Sequence, residues 1–441
     1  SLYNTLSRSK EKFVPIGTPV GLYTCGPTVY HYAHIGNLRT YVFEDLLKRV
    51  LLYNGYIVRQ VMNVTDVGHL VGDGDMGEDK MEKGAAREGK TAWEIADYYL
   101  SAFKKDLHLL NINEPDVWCK ATDYIQEQID LIKELEAKGF TYVTSDGVYF
   151  DTEKFPNYNK LSHLKLEELK EGARIEKNSE KKNPTDFALW KFNTTGEKRQ
   201  MEWESPWGAG FPGWHIECSA MSLHFLKGHL DIHCGAVDHI NIHHTNEIAQ
   251  SEAATGEKFF NYWIHGAFLN VGDDEKMSKS VGNILTLELV TGEERVDPLA
   301  FRYACLLTHY RKPMSYKAGM LQQADAALKN IRRSLESLPH EIGKVDEACE
   351  AEFLAAINDD LNMPQAVAVL QSVLKSTLAD DVKAATIQRF DEVLGLNLTL
   401  GKITEELPEE IRQLAAERER ARADSPCSAA RCPARRPAPS R

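Results

Sequence analysis

Pro19-Val20-Gly21-Leu22-Tyr23-Thr24-Cys25-Gly26-Pro27-Thr28-Val29-Tyr30, with His34-Ile35-Gly36-Asn37 just beyond it, is the stretch on which the fold turns. Pro19 to Thr24 is a short apolar run, and the Gly26-Pro27 pair breaks it. Leu38, Val42, Leu46, Leu47 and Val50 then recur at helical spacing. The pattern predicts strand, turn, helix. A second strand pattern, Tyr56 to Val64, follows and ends at Asn63-Val64-Thr65-Asp66. Strands that alternate with helices build a parallel sheet, and ligands of such a sheet lie at the carboxyl ends of its strands.

Outward from this core the texture changes. Residues 111–205 hold a helical pattern at Ile125 to Lys138, a hairpin pattern at Tyr142 to Asp151 and a Lys/Glu/Asn-rich stretch at 165–184. They read as an inserted subdomain between two halves of the sheet domain, 1–110 and 206–275. The alternation resumes at Trp214 to Leu226, Leu230 to His233, His243 to Ala254 and Phe260 to Val271. From about 316 to 400 the pattern is purely helical, with Leu321, Ala324, Leu328 and Ile331 on one face, then Leu361, Ala366, Val369, Leu370 and Val373. Residues 276–315 connect sheet and bundle. Residues 401–441 form an atypical tail, and Asp424 to Arg441, with four Pro and four Arg, is expected to be disordered. The expected fold class is α/β: a Rossmann-type parallel-sheet catalytic domain with an inserted subdomain, followed by an α-helical bundle.

A chain of 441 residues has room for several cores. No run approaches the roughly 18 to 20 apolar residues of a membrane span, and the opening residues do not have the pattern of a signal peptide. A cytoplasmic protein is expected. Eight cysteines scattered through so long a chain argue for reduced thiols and a metal site, not a disulfide framework. The net charge of -13 disfavours non-specific nucleic-acid binding but leaves room for a local basic surface.

Three constellations carry chemistry. His34-Ile35-Gly36-Asn37 stands at a helix N-terminus, where unpaired N–H groups and a partial positive charge suit a phosphate. His34 would stabilise charge building on phosphate oxygens, although a capping or surface histidine satisfies the same tetrapeptide. Lys276-Met277-Ser278-Lys279-Ser280 offers two ammonium groups and two hydroxyls between Gly272 and Gly282, apt for clamping a triphosphate by loop closure; a solvated Lys/Ser turn is the bland reading. Together these two segments predict activation of a carboxylic acid with ATP. The third set is Cys25, Cys218, His243 and Glu247, the ligand types that zinc takes in tetrahedral geometry. His243 and Glu247 share a helix face at i, i+4, and His244, at i, i+3, could serve as well. Spacing does not choose between the two histidines.

With these residues in view the chain resembles the cysteinyl-tRNA synthetases, class I aminoacyl-tRNA synthetases, from about Leu2 to Leu396. The likeness rests on Tyr23 to Tyr30, His34 to Arg39, Asn183-Pro184-Thr185-Asp186-Phe187-Ala188-Leu189-Trp190, Pro212-Gly213-Trp214-His215-Ile216-Glu217-Cys218-Ser219, His243-His244-Thr245-Asn246-Glu247-Ile248-Ala249-Gln250 and Lys276 to Ser280. It implies activation of L-cysteine with ATP and transfer to tRNA(Cys). It also implies one zinc ion on Cys25, Cys218, His243 and Glu247, and Mg2+ with the ATP. The nucleotide site would hold His34, Gly36, Asn37, Asp238, Lys276, Ser278 and Lys279, with His34, Lys276 and Lys279 catalytic. Cys25, Thr65, Trp214 and His233 would line the amino-acid pocket, 276–315 would reach the tRNA stem, and a monomer is expected. A zinc-bound thiolate separates cysteine from serine, which an apolar pocket could not do, so no editing domain is required.

The sequence departs from the family pattern at several points. Asn37 stands where a second His is usual. Cys234-Gly235-Ala236-Val237-Asp238 replaces a more Gly-rich run, Val67-Gly68-His69-Leu70 replaces an acidic run, and Ser425 to Arg441 does not match the family's anticodon-reading segment. Two other readings of the same scaffold are a ligase joining cysteine to an amino sugar and a silent zinc-dependent sensor. The Lys329, Arg332 and Arg333 face of the helical region favours tRNA over the first, and His34 with Lys279 argues against the second.

Overall fold

A computed structural model describes residues 1–67, 84, 89–163, 179–194, 199–272, 275–276, 284–338 and 343–398. The expected disorder of Asp424 to Arg441 therefore falls outside the described residues, as do Val67's neighbours Gly68 to Leu70. Five parallel strands form the centre: β1 Val20–Thr24, β2 Val58–Val64, β3 Val117–Lys120, β4 Ile232–Ala236 and β5 Tyr262–Gly266. Their order across the sheet is β5-β4-β1-β2-β3. The chain thus winds outward from β1 in one direction and returns on its other side through β4. The crevice between the carboxyl ends of β1 and β4 is the switch point at which such sheets bind ligands.

Burial explains the strand sequences. All five residues of β1 are buried, including Gly21, because helices cover both faces of a parallel sheet. Helix α1, Ile35–Tyr53, packs Leu38, Val42, Leu46, Leu47 and Val50 into the core, as the periodicity predicts. Helices α2, Trp214–Leu226, and α3, His243–Thr255, share an apolar cluster through Ile216, Ala249 and Ala253 and are also joined by buried polar bonds. Gln250 Nε2 donates to the His215 carbonyl and to Ser219 Oγ, both at 2.6 Å, and Ser251 Oγ lies 2.8 Å from Ser219 Oγ. These fully buried bonds fix the register of Cys218 against His243 and Glu247.

The sheet reaches past residue 111, where the sequence alone begins the insertion. Strand β3 pairs in parallel with β2, Val61 opposite Val117. The inserted sheet itself is antiparallel and four-stranded, made of Thr141–Thr144, Gly147–Phe150, Phe187–Phe192 and Gly210–Pro212. Asp186 ties it together by accepting from Thr152 N and Oγ1, Asn183 N and Tyr142 OH. A small sheet of Leu269–Val271, Glu275–Lys276 and Met314–Tyr316 leads to the helices Met320–Glu336, Glu347–Ile357, Met363–Lys375 and Asp380–Leu394. The periodic residues of the first and third are buried, and Phe353 stacks on Phe390 at 4.0 Å between centroids.

Arg302 joins this bundle to α1. Fully buried, it pairs with Asp45 Oδ2 at 2.6 Å and donates to the carbonyls of Leu394, Leu110 and Asn111. The basic face expected at Lys329, Arg332 and Arg333 is largely used within the fold. Lys329 pairs with Asp325, and Arg332 pairs with Asp297 and donates to Leu396 O. No described helix is long and apolar enough to cross a membrane.

Candidate active site

One cleft lies over the switch point, with about 1340 Å³ of empty space open to solvent. The end of β1 gives it Cys25 and Gly26, the N-terminus of α1 gives His34, Gly36 and Asn37, and the end of β2 gives Thr65. Trp214, at the first position of α2, Cys218 on the same helix, His243 on α3 and Asp238 after β4 complete it. Residues spread over more than 200 positions of sequence thus face one space. Two glycines permit this. A Cβ on Gly26 would lie 1.7 Å from the Asn63 carbonyl oxygen, so only glycine lets the loop after β1 cross β2. A Cβ on Gly235 would lie 2.5 Å from His239 Nδ1 and 2.8 Å from the His244 ring, so this glycine makes room for the two histidines.

His34 caps α1. Its Nδ1 accepts from Asn37 N at 3.1 Å, while Asn37 Oδ1 accepts from His34 N at 3.3 Å. This reciprocal pair is a capping box with imidazole in the role usually taken by a hydroxyl. Because Nδ1 accepts, the neutral ring carries its proton on Nε2. Asn37 is therefore more than a missing histidine: its amide holds the turn that presents His34. Thr65 is fixed too. Its hydroxyl donates to Glu217 Oε2 at 2.8 Å and accepts from Asn63 Nδ2 at 3.3 Å, and Asn63 Oδ1 accepts from Gly26 N.

The floor of the cleft is a nest of thiols, imidazoles and carboxylates. Ligand atoms of Cys25, Cys218, His243 and Glu247 all lie within 4.8 Å of one another, and so do those of Cys25, His233, His244 and Glu247. His243 Nε2 is 3.0 Å from Glu247 Oε1, His244 Nε2 is 3.9 Å from the same oxygen, and Cys25 Sγ is 3.3 Å from His244 Nε2. That carboxylate oxygen is buried without a hydrogen-bond partner, although an imidazole nitrogen is near. His243 and Glu247 are thus close but not aligned as donor and acceptor. Such a group could hold a metal ion, and the donor set fits a borderline-soft cation.

Burial drives the nest toward neutrality. It raises the Cys25 thiol well above its ordinary range, with Cys218 adding to the effect, and it raises Cys218 as well. Burial also lifts Glu247, against the pull of His233, and pushes His244 far down, helped by neighbouring imidazoles. A bound cation would reverse this balance by favouring thiolate and carboxylate.

His233 is not at the cleft wall. It is fully buried, stacked on Trp263 at 4.7 Å, with Nε2 3.0 Å from Glu247 Oε2. It orients the carboxylate from behind. Two further histidines were not legible as site residues. His215 Nδ1 lies 3.0 Å from His243 Nδ1, and His265 Nε2 lies 2.8 Å from His244 Nδ1 with Thr5 Oγ1 beyond it. The signal available for His265 was a lone polar ring in the apolar strand Tyr262-Trp263-Ile264-His265-Gly266. Lys276 sits in a strand antiparallel to Leu269–Val271, opposite Asn270, and Leu269 lines the cleft. Ser278 and Lys279 lie outside the described residues.

Comparison with known proteins agrees with this architecture. Residues 13–326 match the family of tRNA synthetases class I (C), catalytic domain. The chain is 51% identical over 426 residues to cysteine–tRNA ligase 1 of Burkholderia lata, covering 96% of this chain and 90% of that protein. It is 44% identical over 424 residues to the cysteine–tRNA ligase of Treponema denticola, covering 90% and 86%. Among solved structures it is similar to methionyl-tRNA synthetase of Mycobacterium tuberculosis in complex with methionyl-adenylate, with a TM-score of 0.56, 16% identity and coverage of 86% and 90%. A LeuRS of Agrobacterium radiobacter K84 in a ternary complex gives a TM-score of 0.59 at 12% identity, covering 86% and 83%. These two likenesses concern the fold.

Proposed function

The chain belongs to the class I tRNA synthetases and, within them, to the cysteine–tRNA ligase family, whose reaction is ATP-dependent activation of cysteine and charging of tRNA; on that premise we propose that the cleft over the switch point runs both steps and selects cysteine through zinc. The observation that carries the reading is the convergence of the α1 N-terminus with Cys25, Cys218 and His243 in one crevice. Phosphate chemistry and thiol recognition then meet at one substrate.

In the first step the carboxylate of L-cysteine attacks the α-phosphate of ATP in line, and pyrophosphate leaves. His34 donates from Nε2 to the phosphate as charge grows on it, beside the positive end of α1 at Gly36 and Asn37. Lys276, Ser278 and Lys279 would hold the departing phosphates, whose charge Mg2+ would help to balance, and Asp238 would take the ribose side. Thr65 and Trp214 position the amino acid. In the second step a terminal ribose hydroxyl of tRNA(Cys) attacks the carbonyl of the adenylate and AMP leaves. Positioning and preorganised charge supply most of the acceleration.

Cys25, Cys218, His243 and Glu247 would hold the zinc ion, which supplies a site for a thiolate and none comparable for a serine hydroxyl. His243 is preferred to His244 because Cys25, Cys218 and His243 all line the cleft, whereas His233 and His244 lie beneath it. A metal that meets substrate needs a position open to it. His215 would orient His243, and His233 would orient Glu247. We place the reaction in the cytoplasm, carried out by a monomer; six unbridged cysteines among the described residues accord with a reducing compartment.

The test is charging of tRNA(Cys) with labelled cysteine in the presence of ATP, magnesium and zinc, repeated after chelation and with serine in competition. Charging that is lost on chelation and restored by zinc, with serine excluded only when zinc is present, is the expected result. Unchanged cysteine selectivity in zinc-free enzyme would refute the metal's role.

A further inference from the structure

A line of aromatic rings leads out of the cleft to solvent, and activation of the amino acid makes no use of its outer end. Phe103 and Tyr99, on one face of the helix Ala92–Leu109, line the cleft with Tyr41 of α1, and Phe103 meets Tyr41 edge-on at 4.7 Å. Tyr32, from the loop after β1, meets Tyr99 at 5.0 Å and nearly perpendicular. Tyr98 continues the line, 5.1 Å from Tyr99 and 6.2 Å from Tyr32. Its hydroxyl lies 2.6 Å from that of Tyr32, and Lys90 Nζ sits 4.3 Å from its ring centre.

Tyr98 is 45% exposed and Tyr32 38%. Large rings left half in water are not explained by the core. Here two of them are locked together by a hydroxyl pair, so a planar ligand could stack without first ordering them.

We propose that Tyr98 and Tyr32 form a stacking platform for the unpaired 3′-terminal nucleotides of the tRNA. This rests on the reading of the cleft given above, because it is the ribose of that strand's last nucleotide that must reach the adenylate. Continuity decides the occupant: the rings run without a break from the exposed platform to the wall of the reaction cleft. Bases stack on tyrosine faces with little regard to sequence. A single strand entering along this line passes Tyr98, then Tyr32 and Tyr99, before meeting the site of activation.

The test compares Tyr98→Ala and Tyr98→Phe with wild type in three measurements: ATP–pyrophosphate exchange with cysteine, KM for tRNA(Cys) in charging, and transfer from preformed adenylate in a single turnover. Tyr98→Ala should leave exchange within twofold, raise the tRNA KM about tenfold and slow transfer. Tyr98→Phe, which keeps the ring, should stay within threefold in all three. Normal charging by Tyr98→Ala would overturn the platform, and so would equal losses in exchange and charging, which would mark the ring as support for the activation site. Failure of the wild type to exchange pyrophosphate would instead overturn the reading of the cleft itself.

Discussion

His34 does two jobs that substitution can separate. As N-cap of α1 it accepts the Asn37 N–H on Nδ1, and in the proposed mechanism, as a residue that lines the cleft, it offers Nε2–H to phosphate. Replacing it with Ala removes both, whereas Asn, among the best N-caps, keeps the first and deletes the second. Loss of the cap costs roughly 1 kcal/mol. With an unfolding entropy near 2 cal/mol/K per residue over a unit of this size, that moves the melting temperature by only about 1 °C. Loss of a donor aimed at developing charge costs roughly a hundred- to a thousandfold in rate. His34→Asn should therefore melt with the wild type and still lose at least about a hundredfold in ATP–pyrophosphate exchange. His34→Ala should lose as much rate and a degree or so of stability. If His34→Asn exchanged pyrophosphate within a few-fold of wild type while His34→Ala did not, the imidazole would be a cap alone and the electrostatic role would be wrong.

Burial raises Asp66 to about 6 although Thr122 donates to it twice. A carboxyl whose folded value lies above its unfolded one stabilises most below about pH 4 and loses that contribution as the pH climbs through 6, here roughly 3 kcal/mol in all. Asp66→Asn should flatten denaturant stability between pH 4 and 7 by about that amount, and an unchanged slope would sink the assignment. Arg302→Met strips donors from buried carbonyls and a partner from Asp45, so we expect about 3 kcal/mol of lost stability in denaturant titration, with a loss below 1 counting against its role as the joint between bundle and α1. Cys218→Ser should bring zinc content after dialysis well below one per chain and shrink the preference for cysteine over serine by tenfold or more in exchange assays; full zinc retention would remove Cys218 from the ligand set.

What the sequence disclosed and what it hid divide along one physical line. Periodicity reports which face of an element is buried, so the strand at Val20–Thr24, the helix after His34 and the apolar faces at 321–331 and 361–373 were all legible. Strand β3 was not, because Val117-Trp118-Cys119-Lys120 is four residues at a sheet edge, too short for alternation to register and placed just after Pro115-Asp116. Pairing across space was hidden for the same reason that spacing could not choose between His243 and His244. Both rings are buried, both can face Glu247, and what separates them is which one reaches the cleft.

Charge misleads in a related way. Lys329 and Arg332 present a basic face on a helical wheel, but a wheel does not show the acids opposite. Asp325 lies one turn back, and Asp297 lies in the loop before the helix Leu299–Leu306, so the face a tRNA would meet is far less basic than the sequence suggests. Asn37 makes the converse point. Seen as a letter, it is an imidazole lost; seen at the third position of α1, its side-chain oxygen accepts from His34 N, while its backbone N–H, donating to His34 Nδ1, fixes the tautomer. A histidine there would have to close the same box with a ring nitrogen, which titrates, whereas the amide of asparagine does not. The substitution therefore keeps the presentation of His34 independent of the protonation of its capping partner.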